Sequence, residues 1–153
     1  MSNVVGVGRQ RSPTPPGTLP PMSETPTPPT APRSTMLVAT DADHVHDEVA
    51  AALGGDHEVV RVHAGAEVLA AVTAHQPVLV VLDLQIGNMG GMAACLDLRL
   101  EQRADRVPAQ RIVMLLDRDA DAFLAHRAEA DAWVVKPVDP LVLRRTAREA
   151  LAA

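Results

Sequence analysis

Residues 78–91, VLVVLDLQIGNMGG, decide the fold. The stretch begins with five apolar residues and reaches its first acid at Asp83. An apolar run without polar alternation is typical of a strand that is buried on both faces, as in a parallel sheet with helices on each side. Two later runs have the same character, at residues 112–116 (IVMLL) and 132–136 (AWVVK).

Five predicted strands alternate with five segments of helical period. The first two strands are residues 36–40 (MLVAT) and 58–62 (EVVRV). The predicted helices cover about residues 43–53, 65–75, 90–103, 119–129 and 139–152. Repeated strand–helix units with right-handed crossovers predict a doubly wound α/β fold around a parallel sheet. Ligands of such folds bind outside the carboxyl ends of the strands.

Residues 1–35 differ in composition from the rest of the chain. Nine of the thirteen prolines lie there, and no apolar periodicity interrupts them. Such a composition predicts a disordered or polyproline-like segment. We therefore expect a Pro-rich arm at residues 1–35 and one folded domain at residues 36–153.

The charge distribution excludes several classes of function. The arm has a net charge of +2 and the remainder −7, within a total of −5. An acidic domain repels phosphate backbones, so we expect no direct nucleic-acid binding. The chain has one cysteine, no apolar run long enough to cross a membrane and no apolar signal-peptide core. These features favour a cytoplasmic protein without a membrane partner.

The predicted strand ends carry acids and a lysine. Asp41 follows the first strand, Asp83 ends the third, and Lys136 ends the fifth. Lys136 is the only lysine of the chain, which has thirteen arginines. This usage indicates a site where the fork-shaped guanidinium of arginine would not replace the ammonium group. Two carboxylates in one crevice need a cation, and oxygen ligands favour Mg²⁺. A carboxylate nucleophile, a divalent ion and an ammonium are the groups that phosphoryl transfer to aspartate requires.

Two segments resemble response-regulator receiver domains (the CheY-like family). Residues 78–91 are similar to the phosphoacceptor strand and loop, commonly an apolar run followed by D-L-x-M-P-x-M-D-G. Residues 130–137 (ADAWVVKP) resemble the receiver stretch A-D-D-Y-L-x-K-P. The resemblance covers residues 36–153. It implies a flavodoxin/CheY-like three-layer sandwich with a five-stranded parallel sheet in the order 2-1-3-4-5.

The resemblance also implies a role for each site residue. Asp83 would be the phosphorylated aspartate and Lys136 the contact to the phosphoryl oxygens. Asp41, Asp83 and the backbone carbonyl of Gln85 would hold Mg²⁺. Trp133 would be the aromatic that reorients on activation. The residues alone leave other interpretations open, because Asp41 could merely cap a helix and Trp133 could fill the sheet edge or a partner-facing patch.

Ile86, Gly87 and Gly90 stand where the receiver motif usually has Met, Pro and Asp, and two further departures matter for the chemistry. Thr40 stands where receivers carry the first of two adjacent acids, and Asp43 is a poorly aligned substitute, so we expect weaker metal binding. Leu116 replaces the Ser or Thr that ends strand four and cannot donate a hydrogen bond to a phosphoryl group. The transmission of phosphorylation to residues 117–135 is therefore in question.

Our first hypothesis is a single-domain response regulator of a two-component phosphorelay. It would accept a phosphoryl group from a histidine kinase or phosphotransfer protein and signal to a downstream protein through the face of residues 117–152. Its chemistry would be limited to self-phosphorylation and self-dephosphorylation at Asp83, and the sequence leaves a homodimer open. The alternative is a pseudo-receiver, a binding module independent of phosphorylation. A flavodoxin-like redox enzyme is disfavoured, because the loop after strand one lacks a phosphate cradle.

Overall fold

The computed structural model describes residues 33–153. Within this part, five parallel strands form one sheet in the order β2-β1-β3-β4-β5. The strands are β1 (Thr35–Ala39), β2 (Glu58–Val62), β3 (Leu79–Asp83), β4 (Ile112–Leu116) and β5 (Ala132–Val135). The predicted doubly wound fold and strand order are confirmed.

Five α-helices alternate with these strands in the described residues. They are α1 (Asp43–Leu53), α2 (Val68–His75), α3 (Gly91–Arg103), α4 (Ala122–Arg127) and α5 (Pro140–Ala152). Short 3₁₀ turns at Gly65–Glu67 and Asp119–Asp121 replace the first turns predicted for α2 and α4. The end of α4 also comes earlier than predicted, because Glu129 takes a left-handed φ of 65° that an α-helix cannot continue through.

The predicted arm at residues 1–35 lies almost wholly outside the described residues. Residues 1–32 are not described, so the disordered arm stays a prediction. Thr35, the last residue assigned to the arm, belongs to β1 and pairs with Glu58 of β2.

Two apolar cores lie on opposite faces of the sheet, which explains the unbroken apolar run of β3. Val80 and Leu82 enter the core that α2, α3 and α4 cover. Leu79 and Val81 enter the core that α1 and α5 cover. Because side chains of a strand alternate between faces, a strand with a core on each side must be apolar at every position.

The carboxyl ends of the parallel strands meet at one edge of the sheet, where α5 also begins. The Asp139 side chain caps α5 by accepting hydrogen bonds from the backbone N–H groups of Leu141 (2.8 Å) and Val142 (3.3 Å). Pro140 occupies the first turn of the helix, where its missing N–H costs nothing. Among residues 33–153, no helix has the length and apolar character of a membrane span.

Candidate functional site

Asp83 lies at the carboxyl end of the central strand β3 and is 2% exposed. Its Oδ1 accepts hydrogen bonds from Lys136 Nζ at 2.6 Å and from the Gln85 backbone N–H at 3.0 Å. Its Oδ2 accepts a hydrogen bond from Thr40 Oγ1 at 2.7 Å. Charge-assisted hydrogen bonds of this kind compensate for the burial of a carboxylate. The three contacts fix the orientation of the carboxylate plane.

Lys136 follows β5 and reaches across the strand ends to two acids. Its Nζ donates to Asp83 Oδ1 and, at 3.3 Å, to Asp117 Oδ1. The Lys136 backbone N–H donates to the carbonyl of Leu116 at 2.7 Å, which extends the β4–β5 pairing to the lysine itself. The only lysine of the chain therefore lies between two carboxylates, in the crevice where the sequence predicted it. Its contact with Asp117 was not predicted.

Thr40 is completely buried beside Asp83. Its oxygen accepts a hydrogen bond from the Ala42 backbone N–H at 3.1 Å, so its own proton is free to go to Asp83. The sequence analysis identified Thr40 only as a missing acid. The direct bond between Thr40 and Asp83 could have been inferred only from the register of β1 against β3. Ala39 pairs with Leu82, which puts the following residues, Thr40 and Asp83, side by side.

Asp41 is exposed and contacts the loop between β3 and α3. Its Oδ2 accepts a hydrogen bond from the Gly87 backbone N–H at 3.0 Å. Gln85, which donates to Asp83, lies two residues earlier in the same loop. Both carboxylates that the sequence predicted as metal ligands therefore touch residues 85–87.

The β3–α3 loop is held from its other side by residues that precede α2. The Gly65 backbone N–H donates to the carbonyl of Gly87 (3.2 Å) and the Ala66 N–H to that of Asn88 (3.0 Å). A Cβ on Gly65 would lie 1.6 Å from the carbonyl oxygen of Met89, so this close approach requires glycine. Asn88 and Met89 themselves have left-handed φ values of 53° and 78°.

Asp43, the substitute acid, is paired elsewhere. Its Oδ1 accepts a hydrogen bond from Arg61 Nη1 at 2.8 Å. This hydrogen bond and the positive charge of Arg61 lower the pKa of Asp43 below its ordinary value. Arg61 on β2 also donates from Nε to the carbonyl of Thr40 at 3.1 Å. Asp43 therefore belongs to an ion pair outside the crevice rather than to the Asp83 carboxylate.

The oxygen donors at the strand ends suit a hard divalent cation. The carboxylates of Asp41 and Asp83 and the carbonyl of Gln85 are ligand types that Mg²⁺ accepts. In residues 33–153, no group of three or more His, Cys, Asp or Glu side chains is gathered for a metal. Thr40 supplies a neutral hydroxyl where a further acid would add negative charge. The donor set fits Mg²⁺ with only two protein carboxylates.

The two predicted switch residues have opposite environments. Leu116 is completely buried and packs in the core under α2, α3 and α4, where it offers no hydrogen-bond donor. Trp133 lies on the edge strand β5 and is 40% exposed. Phe123 of α4 and Leu141 of α5 are exposed as well, at 57% and 74%. Together with Leu151, which is 37% exposed, residues 117–152 thus present four large apolar side chains to solvent.

Comparisons with known proteins agree with the fold of residues 33–153. The family model of the response regulator receiver domain matches residues 36–148. No curated protein matches the chain. Among solved structures, a candidate response regulator from Chloroflexus aurantiacus J-10-fl has a TM-score of 0.71 and 23% identity, covering 79% of this chain and 99% of its own.

Two further solved structures are similar to the chain. Chemotaxis protein CheY4 of Vibrio cholerae has a TM-score of 0.67 and 21% identity, with 77% of this chain and 98% of that chain covered. The BeF3-activated N-terminal receiver domain of Klebsiella pneumoniae RstA has a TM-score of 0.67 and 29% identity, with coverages of 78% and 100%.

Proposed function

Because the chain belongs to the response regulator receiver domain family, whose members are signalling modules rather than classical enzymes, we propose that it accepts a phosphoryl group on Asp83 in a two-component phosphorelay. The observation that carries the proposal is the contact of 2.6 Å between Asp83 and the only lysine of the chain. A buried carboxylate at the central strand end, with an ammonium against it, is suited to this chemistry.

The proposed transfer forms one bond and breaks one. An oxygen of the Asp83 carboxylate attacks the phosphorus of a phosphohistidine on the donor protein. The phosphorus–nitrogen bond breaks, and its electron pair returns to the imidazole of the donor. Phosphoryl transfer depends mainly on positioning and on neutralising charge.

The residues around Asp83 perform these two tasks. The backbone N–H of Gln85 and the hydroxyl of Thr40 hold the carboxylate in one orientation. Lys136 has three N–H donors, two of which contact Asp83 and Asp117. In the proposed reaction, its ammonium group would contact the phosphoryl oxygens and neutralise part of their negative charge. Asp41, Asp83 and the Gln85 carbonyl would hold Mg²⁺, which supplies further charge neutralisation when bound.

Family members interact with histidine kinases or phosphotransfer proteins, and we infer such a donor here. The proposed output is protein–protein interaction in the cytoplasm. The exposed side chains of Phe123, Trp133 and Leu141 support a protein target for the face of residues 117–152, because apolar and aromatic groups are enriched in the centres of interfaces. The chain's own chemistry would be limited to self-phosphorylation and self-dephosphorylation at Asp83.

A pseudo-receiver is the second candidate, and Leu116 favours it. This buried residue places no hydroxyl at the end of β4. Thr40 also occupies an oxygen of Asp83 that a phosphoryl group or a metal could otherwise use. In this alternative, the same fold binds its partner without phosphorylation.

Labelling with a small phosphodonor separates the two candidates. The chain is incubated with Mg²⁺ and acetyl phosphate, and its intact mass is measured. We expect the gain of one phosphoryl group in the wild type and its loss in Asp83→Asn. Asp117→Asn is the matched control, since it removes the other acid that contacts Lys136. A wild type without the mass gain would favour the pseudo-receiver.

A further inference from the structure

Thr40 carries the only side-chain hydroxyl that contacts Asp83 within residues 33–153. The other serines and threonines of this part are Ser34, Thr35, Thr73 and Thr146. The direction of the Thr40–Asp83 bond is fixed, because an N–H of Ala42 already occupies the hydroxyl as a donor. Thr40 is therefore the donor in this bond, and its hydroxyl proton lies against Asp83 Oδ2.

The backbone of Thr40 is hydrogen-bonded to β2, the strand that flanks β1 on the side away from β3. Its N–H donates to the carbonyl of Val62 at 3.1 Å, and its carbonyl accepts from Arg61 Nε at 3.1 Å. The same guanidinium continues to Asp43, the first residue of α1. A continuous set of hydrogen bonds thus joins Asp83 to the start of α1 through Thr40 and Arg61.

Arg61 is not an ordinary surface arginine. Its side chain is 14% exposed. Its second terminal nitrogen, Nη2, is buried and has no hydrogen-bond partner among residues 33–153. A buried donor without a partner costs free energy, so a displacement that gives it one is favoured. Arg61 contacts the Thr40 carbonyl through Nε, so a shift of Thr40 would move a guanidinium that still has an unused donor at Nη2.

The end of β4 offers no comparable path. Leu116 is buried among apolar side chains and makes no side-chain hydrogen bond to Asp83. From Asp83, the only polar side-chain contact on that side within residues 33–153 runs through Lys136 to Asp117. The hydroxyl that touches the reacting carboxylate belongs to Thr40, which directly follows β1, and not to a residue at the end of β4.

We propose that Thr40 senses the phosphorylation of Asp83 and that the start of α1, with Arg61 of β2, is the surface that responds. The proposal rests on the proposed function of Asp83. When a carboxylate oxygen bonds to phosphorus, the negative charge moves from the carboxylate to the phosphoryl oxygens. Thr40 then loses its anionic acceptor at Oδ2 and follows the charge, because hydrogen bonds to ionised acceptors are the stronger ones. Ala42, Arg61 and Asp43 move with it.

The test follows backbone amide signals of the full chain by NMR. Spectra are recorded with Mg²⁺, before and after saturation with beryllofluoride, a phosphoryl mimic. In the wild type, we expect the amides of residues 41–46 and 61–63 to shift. Asp83→Asn gives the baseline without a ligand on the carboxylate.

Three variants isolate the hydroxyl and its link to α1. Thr40→Val, compared at equal saturation, loses the shifts at 41–46, and Thr40→Ser retains them. Arg61→Met keeps the hydroxyl but loses the shifts at 43–46, and it decides the matter where Thr40→Val does not fold. Thr73→Val is the matched control, because the Thr73 hydroxyl bonds only the carbonyl of Leu69 in its own helix.

Two outcomes overturn the proposal, and they differ in what else they remove. A wild type that responds at residues 117–135 but not at 41–46, or a Thr40→Val that responds as the wild type does, contradicts the sensing role and leaves Asp83 as acceptor. A wild type that acetyl phosphate does not phosphorylate at Asp83 removes the proposed function and the sensing role together.

Discussion

Lys136 Nζ lies 2.6 Å from Asp83 Oδ1, although the two residues are 53 positions apart in the chain. β3 and β5 are not neighbours in the sheet, so the lysine crosses the end of β4 to reach the aspartate. The Lys136 N–H bond to Leu116 fixes the backbone from which the side chain starts. The ion pair therefore depends on the parallel arrangement of three strands, and each of its partners can be tested separately.

Removal of the ammonium leaves a buried carboxylate with less compensation. We expect Lys136→Met to destabilise the fold by about 2 kcal/mol, because one partner of a largely buried ion pair is lost. Urea denaturation measures the change. Asp83→Asn in the Lys136→Met background should recover part of the lost stability. If the effects of the two substitutions are additive, the coupling between Lys136 and Asp83 is contradicted.

Substitution of Gly65 should displace the β3–α3 loop. The new Cβ of Gly65→Ala meets the carbonyl oxygen of Met89 at 1.6 Å and its carbon at 2.7 Å, so backbone must move. We expect a loss of about 2 kcal/mol in the free energy of unfolding. Gly55→Ala is the control, since nothing lies within 4 Å of its Cβ. Similar stabilities of the two variants in urea would disprove the close approach.

A hydroxyl at the end of β4 should couple the state of Asp83 to the face of residues 117–152. We expect Leu116→Thr to cost about 2 kcal/mol of stability, because it removes buried apolar volume and adds a polar group. It should nonetheless strengthen the response of Trp133, the only tryptophan, whose fluorescence is followed as Mg²⁺ and beryllofluoride are added. Leu116→Val controls for lost volume. If Leu116→Thr responds no more strongly than Leu116→Val, the interpretation of Leu116 is wrong.

The thiol of Cys95 predicts a dependence of stability on alkaline pH. Burial raises the pKa of this thiol from 9.0 to about 11, and the thiol donates to the carbonyl of Ala128. The folded state therefore retains the proton that the unfolded state loses. The resulting stabilisation is complete below pH 9 and is lost as the pH rises towards 11.

We expect a loss of about 2 kcal/mol over this interval, measured by urea denaturation at several pH values. Cys95→Ala removes the contribution and isolates it from other groups that titrate there. Parallel stability curves for wild type and Cys95→Ala would contradict the raised pKa.

The sheet could be predicted because its information is local. The apolar runs that end at Asp83 and Leu116 are buried on both faces, and this burial is visible in the residues themselves. The short α4 was less accessible to prediction. The sequence predicts a helix to about residue 129, whereas the helix ends at Arg127 and Glu129 has a left-handed φ of 65°, which the residue pattern does not reveal.

The residues of the candidate site could be predicted from the sequence, but only some of the contacts between them could. The chain positions of Asp83 and Lys136 indicated one crevice, and the structure brings the two residues together. Thr40 was identified as a missing acid, whereas its bond to Asp83 depends on the register of β1 against β3. Arg61 gave no signal, because its two contacts join residues that are distant in sequence. The roles of these residues stay predictions.

The central claim is that Asp83 becomes an acyl phosphate, and reductive trapping tests it most directly. The chain is treated with Mg²⁺ and acetyl phosphate and then with borohydride, which reduces the acyl carbon of an aspartyl phosphate to an alcohol and releases phosphate. Peptide mapping by mass spectrometry then locates the resulting homoserine. We predict homoserine at position 83 alone; an unreduced Asp83, or homoserine at Asp41 or Asp117 instead, would contradict the account.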